Sequence, residues 1–474
     1  MIRFAFGDLL ASTGAATLHP GRDDARELVG VTSDSRVVRS GQLFVSIGGP
    51  NFDGDAFAGA ALEAGAAAAL VRAAETARRL PEHAPVAIAA DTVRALGDLA
   101  SWHRSRLACP VLAITGSVGK TSTKDAAAAL LSRAGAVVAA PKSFNNAIGV
   151  PHTLLLADDD ARSVVLEVGT SAPGEIAALT RIARPSVGII TAIGQSHLAE
   201  LGGLDGVCEE KGQLGAGLRP DDWLVLDAGG AFVDRLRAMT RARVRTFGLD
   251  EPRADWNATQ VVEESDGVRF RLEVSDGRRF EVRVPLVGRH NAANTAAAIA
   301  AVDAMGFDPN ELLSGLEELR PAPHRMNLVR TTRGVELIDD TYNSNPDSAR
   351  NAVRVLASRQ GAGRRVAVLG DMLELGAQSA ELHRQLGREV ANARIELLVC
   401  VGELAREIAT GAREAGVHAS RILTYTDVGE AIAEVPERLR TDDVVLFKAS
   451  RGLALERAVD AVADRLGRGT HRVG

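Results

Sequence analysis

Aromatic side chains are scarce, at 4% of 474 residues. The cores must therefore be built from Ala, Val and Leu, within an ordinary hydrophobic content of 46%. Lysine is rarer still: of 55 basic residues only five are lysines, Lys120, Lys124, Lys142, Lys211 and Lys448. On an arginine background, a lysine is a candidate for work that arginine cannot do, as a compact point charge or a nucleophilic amine. Chance survival is the alternative for Lys124 and Lys142. The three cysteines, Cys109, Cys208 and Cys400, are odd in number and far apart. They fit small core residues in a reducing cytoplasm and exclude a disulfide framework. No 18-residue apolar run is free of charge; residues 56–71 come nearest, but Glu63 interrupts them and they read as a buried helix. The opening MIRFAFGDLLAST lacks the apolar stretch of a signal peptide. Membrane insertion is not expected, and a net charge of −6 gives no reason to expect nucleic acid.

What is present is a phosphate loop. Residues 111–124 read VLAITGSVGKTSTK, an apolar run, a Gly-rich turn, then Lys-Thr opening an Ala-rich helix. Gly116 and Gly119 permit a tight turn whose N–H groups can aim at phosphate oxygens. The helix that follows adds its positive end. The cradle would comprise Thr115, Gly116, Ser117, Val118, Gly119, Lys120, Thr121 and Ser122, with Lys120 reaching the terminal phosphates and the Thr121 hydroxyl available to Mg²⁺. The spacing is compact, G-x-x-G-K-T, with Ile114 where the longer loop has glycine. A nucleoside triphosphate is the expected ligand.

The 474 residues allow two to four domains. Residues 1–107 alternate short strands (LVGVTS, GQLFVSI, AALVR, VAIAA) with Ala-rich helices. Residues 108–325 alternate VLAIT, SVVLEVG, VGIITAI and DWLVLDA with helices, which predicts a mostly parallel sheet covered on both faces. Residues 258–287 depart from this, with two Asp-Gly turns that predict an antiparallel meander. Prolines in residues 321–327 mark a boundary. Residues 326–474 alternate again through VELIDD, RRVAVLGD, LLVCVG, RILTY and DVVLFKAS, as a doubly wound Rossmann-like domain does. The fold class is α/β in three domains.

Glu167 closes SVVLEVGT and His197 closes TAIGQSH. Both fall at strand carboxyl ends, the edge where open α/β sheets bind ligands and where the phosphate loop also opens. Beside a triphosphate they could hold Mg²⁺. Lys211 lies in CEEKGQL, where a solvated lysine among glutamates is the plain alternative. In GRHNAANTAAA, His290, Asn291 and Asn294 could read an adenine edge, or Asn291 could simply cap a helix. IDDTYNSNPDS, at 338–348, is a loop rich in donors and acceptors around Tyr342.

In order along nearly the whole chain, DSR at 34–36, GQLFVSIGG, TGSVGKTSTK, KSFNNAIGVP, EVGTSAPGEI, QSHL, EEKGQL, GRHNAAN, IDDTYNSNPDS and LGDMLELG resemble the Mur ligases of bacterial cell-wall synthesis. The resemblance implies an ATP-driven amide ligation through an acyl phosphate. Its last two strings narrow the substrates to UDP-MurNAc-tripeptide and D-alanyl-D-alanine. It implies two Mg²⁺ ions, with Thr121 and Glu167 serving one, His197 the other, and Lys211 carbamylated by CO₂ into a carboxylate-like support. Lys120, Glu167, His197 and Lys211 are thereby the expected catalytic set. His290, Asn291, Asn294, Arg325 and Asp340 match nucleotide contacts. Ser33, Asp34, Ser35, Arg36, Phe44 and Gly48 match the uridine-nucleotide end; Asn145, Asn146, Tyr342, Asn343 and Asn345 match further substrate contacts. A cytoplasmic monomer is implied. The chain departs from the pattern at Ala449, where glycine is expected, and at LDAGG, 226–230. A sibling ligase for another amino acid and an inactive nucleotide-binding scaffold are the competing readings. Joint retention of Lys120, Thr121, Glu167, His197 and Lys211 argues against the scaffold.

Overall fold

In the computed structural model, which describes residues 1–49, 53–141, 143–359 and 363–469, the strands group into three successive regions. Lys142 falls outside the described residues. The N-terminal region holds a five-stranded sheet, parallel except for Ala16–Thr17 at one edge, and a small antiparallel pair, Arg3–Ala5 with Glu27–Val29. The buried helix expected over 56–71 is not continuous. It ends at Glu63, Gly65 follows with φ +105°, and Ala68–Val71 is a fully buried strand. A left-handed glycine stops the helix, and Val71 and its neighbours then pair between Leu43–Val45 and Val86–Ile88.

The central region is one nine-stranded sheet. Val111–Thr115 is an interior strand, third from one edge, parallel to Ser163–Glu167 on one side and Val187–Ile190 on the other. All five residues of Val111–Thr115 are buried, as a strand covered on both faces requires. Val137–Ala139 and Arg243–Leu249 also belong to this sheet, and neither stands out in the sequence. The meander is present as Trp256–Glu263, Val268–Val274 and Arg279–Val284. It is not a separate sheet: Phe247 pairs with Trp256 in parallel, so the meander extends the main one. The helix His290–Ala304 packs on this sheet and on the helix Lys120–Leu131; its run of buried alanines lets the backbones approach closely.

The C-terminal region has a six-stranded sheet in which the five expected strands are parallel. A sixth, Asn327–Arg330, adds an antiparallel edge. Central and C-terminal regions share apolar packing: Leu198, Leu201 and Val207 sit in one cluster with Met372 and Leu375. Cys208 and Cys400 are buried and all three thiols are free. No described helix is long and apolar enough to cross a membrane.

Candidate active site

The phosphate loop leaves the carboxyl end of Val111–Thr115 at the point where successive connections run to opposite sides of that strand. Its shape demands both glycines. Gly116 has φ +147°, and a Cβ there would lie 2.0 Å from Thr191 Oγ1. Gly119 has φ +86°, and a Cβ there would lie 2.5 Å from Asn294 Oδ1. Thr191 Oγ1 donates to the Val118 carbonyl at 2.5 Å, tying the loop to the neighbouring strand. Lys120 curls back so that Nζ donates to the Gly116 carbonyl at 2.5 Å, and burial lowers its pKa.

Thr121 Oγ1 donates to Glu167 Oε2 at 2.8 Å, and Asn145 Nδ2 donates to Glu167 Oε1 at 2.9 Å. Glu167 is 1% exposed and ends its strand as expected. Hydroxyl and carboxylate oxygens side by side at a triphosphate loop suit Mg²⁺, which takes few protein oxygens and keeps waters and phosphates as its other ligands. No group of three or more His, Cys, Asp or Glu side chains placed to hold a metal ion occurs among the described residues. A fully protein-built metal cage is therefore absent there.

His197 does not close a strand. Val187–Ile190 ends seven residues earlier, and His197 sits in the left-handed region, φ 52°, at the start of Leu198–Leu201. The Gly194–Ser196 loop carries it to the same edge: Ser117 Oγ bonds the Gly194 carbonyl at 3.0 Å and Ser196 Oγ at 2.9 Å. His197 Nδ1 lies 2.8 Å from Glu374 Oε2, close enough for an ion pair but without hydrogen-bond alignment. Burial lowers its pKa; Glu374 opposes that effect, while Lys211 and Lys120 add to it.

Lys211 is 1% exposed, inside the helix Leu204–Ala216. Burial, reinforced by Lys120 and opposed by Glu210, lowers its pKa to about 7. The solvated-lysine reading is thus wrong. Glu210 is not its close partner: it accepts from the N–H groups of Gly174 (2.7 Å) and Ile176 (2.8 Å) at the start of another helix.

The third group comes from the C-terminal side. A cavity of about 470 Å³ is lined by the loop residues, Glu167, His197, Lys211, His290, Asn291, Asn294, Arg325, Asp340, Tyr342, Asn343, Asn345 and Lys448. Asn291 is not a helix cap; its Nδ2 donates to the Val287 carbonyl at 2.9 Å. The Arg325 guanidinium stacks on Tyr342, 4.3 Å from the ring centre. Asn345 caps Pro346–Ser358 through Ser348 and reaches the Ser117 carbonyl at 3.4 Å. Asp347 accepts from the Gln195 N–H at 2.8 Å, a second bond between the two regions that sequence reasoning did not single out. Lys448 was noted for its rarity alone; it proves to lie in the cavity wall.

The expected uridine-end residues are not in this cavity. Asp34 and Arg36 pair with each other at the surface, at 2.7 Å. Phe44 is packed in the N-terminal core with Ala58, Ala61 and Val71, which leaves its side chain no ligand-facing surface. Gly48 abuts Arg72, where a Cβ would come within 2.7 Å of the guanidinium. Ser33 faces the central region through His152, Oγ to Nε2 3.1 Å. Asn145 and Asn146 line the cavity, although Asn146 Oδ1 also accepts from the Ile148 and Gly149 N–H groups at the start of the helix Gly149–Leu156.

Comparison with known proteins agrees along the chain. Residues 27–103 match the Mur ligase family catalytic domain, 114–302 the Mur ligase middle domain, and 324–451 the Mur ligase glutamate ligase domain. UDP-N-acetylmuramoyl-tripeptide–D-alanyl-D-alanine ligase of Bacillus subtilis is 34% identical over 91% of this chain and 92% of its own. A crystal structure of MurF from Acinetobacter baumannii is 30% identical, with TM-score 0.87 over 98% of this chain and 99% of that one. MurF ligase from Thermotoga maritima in complex with ADP is 26% identical, with TM-score 0.77 over 92% and 97%.

Proposed function

The chain belongs to the Mur ligase family, and on that premise we infer that its cavity carries out an ATP-driven ligation at the phosphate loop. The enzyme is an ATP-dependent ligase that joins D-alanyl-D-alanine to UDP-MurNAc-tripeptide, in peptidoglycan precursor synthesis. The substrate carboxylate attacks the γ-phosphate to give an acyl phosphate and ADP. The dipeptide amine then attacks the acyl carbon and phosphate leaves.

The physical difficulty is that a carboxylate must approach a polyanion, so the site must offset charge. Backbone N–H groups of the loop and the Lys120 ammonium do so. Lys120 must leave the Gly116 carbonyl to reach phosphate, a short swing about its own side chain. Thr121 and Glu167 would hold one Mg²⁺, and His197 with a carbamylated Lys211 a second; such ions supply Lewis-acid charge neutralisation. A buried lysine with pKa near 7 has a neutral amine available to CO₂ near neutral pH, and the carbamate would turn a cation into an oxygen ligand. His290, Asn291, Asn294, Arg325 and Asp340 would hold the nucleoside and phosphates, while Tyr342, Asn343 and Asn345 would face the acceptor. Free thiols and nucleotide-linked substrates support a cytoplasmic setting.

The observation that carries this reading is the convergence of Lys120, the Thr121–Glu167 pair, His197 and Lys211 with the 340–345 loop on one cavity. Phosphate release from ATP should require both UDP-MurNAc-tripeptide and D-Ala-D-Ala. Release with another amino acid alone would make it a sibling ligase, and ATP binding without turnover an inactive scaffold.

A further inference from the structure

A smaller cavity of about 280 Å³ opens beside the nucleotide cavity and shares Ser117, Lys120, His197 and residues 342–345 with it. Its far wall is C-terminal: Leu373, Glu374, Ser450, Arg451 and Gly452. That volume is small even among ligand pockets, which run from about 300 to 1,000 Å³, and suits a short ligand of small residues.

This wall carries two charges of opposite sign. Among the residues lining the cavity, Glu374 is the one carboxylate. Its Oε2 lies 2.8 Å from His197 Nδ1. Arg451 is the one C-terminal cation in the wall, more than half exposed, with Nη1 3.1 Å from Glu456 Oε1. Glu456 thus holds Arg451 from one side through Oε1, while its Oε2 is buried with no hydrogen-bond partner. Ser450 binds the wall together. Its Oγ accepts from the Leu373 N–H (2.9 Å) and donates to the Ser344 carbonyl (3.2 Å). Glu374 itself has φ +64°, as His197 has +52°; non-glycine residues held there are concentrated at functional sites.

We propose that Glu374 and Arg451 are the two charge-reading residues of the acyl-acceptor subsite, Glu374 taking the incoming ammonium and Arg451 the terminal carboxylate. The assignment rests on the ligase reading above. A free dipeptide is a zwitterion, and its amine must arrive beside the acyl phosphate. An anion next to His197 and a cation elsewhere in the same wall give the site a polarity, and the reversed dipeptide would set like charges together. Arginine's planar fork suits a terminal carboxylate. Before attack the ammonium gives up its proton to solvent water, which reaches the half-exposed Glu374, and the neutral amine then donates an N–H to the Glu374 carboxylate.

The test is steady-state kinetics of the full-length enzyme, varying each substrate in turn. Glu374→Gln should raise the KM for D-Ala-D-Ala about tenfold or more, with the KM for ATP and for UDP-MurNAc-tripeptide unchanged. Arg451→Met should do the same. D-Ala-D-alaninamide, which lacks the carboxylate, should be a poor acceptor for the wild type, and Arg451→Met should no longer distinguish it from the dipeptide. ATP binding by equilibrium titration checks that each variant is folded. A variant enzyme with the wild-type dipeptide KM overturns the assignment. So does a Glu374→Gln enzyme whose Mg²⁺ requirement rises while the dipeptide KM stays put, since that marks a metal ligand. If Glu374→Gln does not fold, equal use of the amide and the dipeptide by wild type is itself decisive against the proposal. Wild type that is inactive with every acceptor instead removes the ligase reading on which the proposal stands.

Discussion

Lys448 Nζ lies 2.6 Å from Asp340 Oδ2 and donates a second hydrogen bond, 2.9 Å, to the Asn343 carbonyl. Lys448 is 2% exposed and ends the strand Val444–Lys448; Asp340 follows the strand beside it. One buried cation therefore fixes both the carboxylate assigned to the nucleotide and the backbone of the loop assigned to the acceptor. Lys448→Met should leave that carboxylate unpaired and cost about 2–4 kcal/mol of stability, less than a fully sealed pair because Asp340 opens onto the cavity. Urea denaturation would show it. The double variant with Asp340→Asn should recover part of the loss, and equal losses for single and double variants would mean that the pair is not what holds the loop.

Lys120 has the opposite character. Its hydrogen bond is to a carbonyl of its own loop, and it forms no ion pair among the described residues. Lys120→Ala should thus leave the thermal midpoint nearly unchanged while lowering ligation on the order of 10³-fold, because the charge it brings to the phosphates is lost. Turnover like that of wild type would refute the phosphate-loop assignment.

For Lys211 the discriminating result is chemical rescue. Lys211→Ala should lose about 10–100-fold in rate if the residue supports a metal ligand set. Added acetate or a similar short carboxylate should restore part of it by standing in for a carbamate. Full activity without additive, or no rescue with any, would count against carbamylation. Rigorous removal of CO₂ should slow the wild type and leave the variant unaffected.

The lysines show how far sequence alone could go. Rarity marked five; three of them, Lys120, Lys211 and Lys448, reach the nucleotide cavity, while Lys124 is bound to the Ala140 carbonyl beside it. Rarity could not separate these roles, because the partners lie far away in the chain. Strands such as Val111–Thr115 were legible as apolar β-branched runs between turn residues. Arg243–Leu249 was not, since its arginines break the apolar pattern. Arg243 and Arg245 are tolerated because both stack on Trp223, at 5.5 and 4.3 Å. Asn327–Arg330 is a half-exposed edge strand with little apolar signal. The pairing of Phe247 with Trp256, which fuses meander and main sheet, and the approach of Glu374 to His197 are tertiary facts with no local signature.

His152 gives a prediction with a defined pH sign. It sits where the central region meets Ser33, and burial lowers its pKa from 6.5 to about 4. The folded state therefore holds this ring neutral over a range in which the unfolded chain protonates it. Between pH 6.5 and 4 the unfolded state binds more protons, so its share of stability is complete above about pH 6.5 and is lost as pH falls toward 4. The ring is only partly buried, which reduces the full linkage value to about 2 kcal/mol across that window. Carboxylates titrate in the same range, so the wild-type curve alone cannot isolate the histidine. The comparison with His152→Gln does, because glutamine can still hydrogen-bond Ser33 but cannot titrate. The variant's denaturation midpoint should fall less steeply between pH 6.5 and 4 than that of wild type, and the two curves should run parallel above pH 7. Parallel curves through the acid range as well would mean that the ring is already protonated in the folded protein, and that the Ser33 contact is made by an imidazolium.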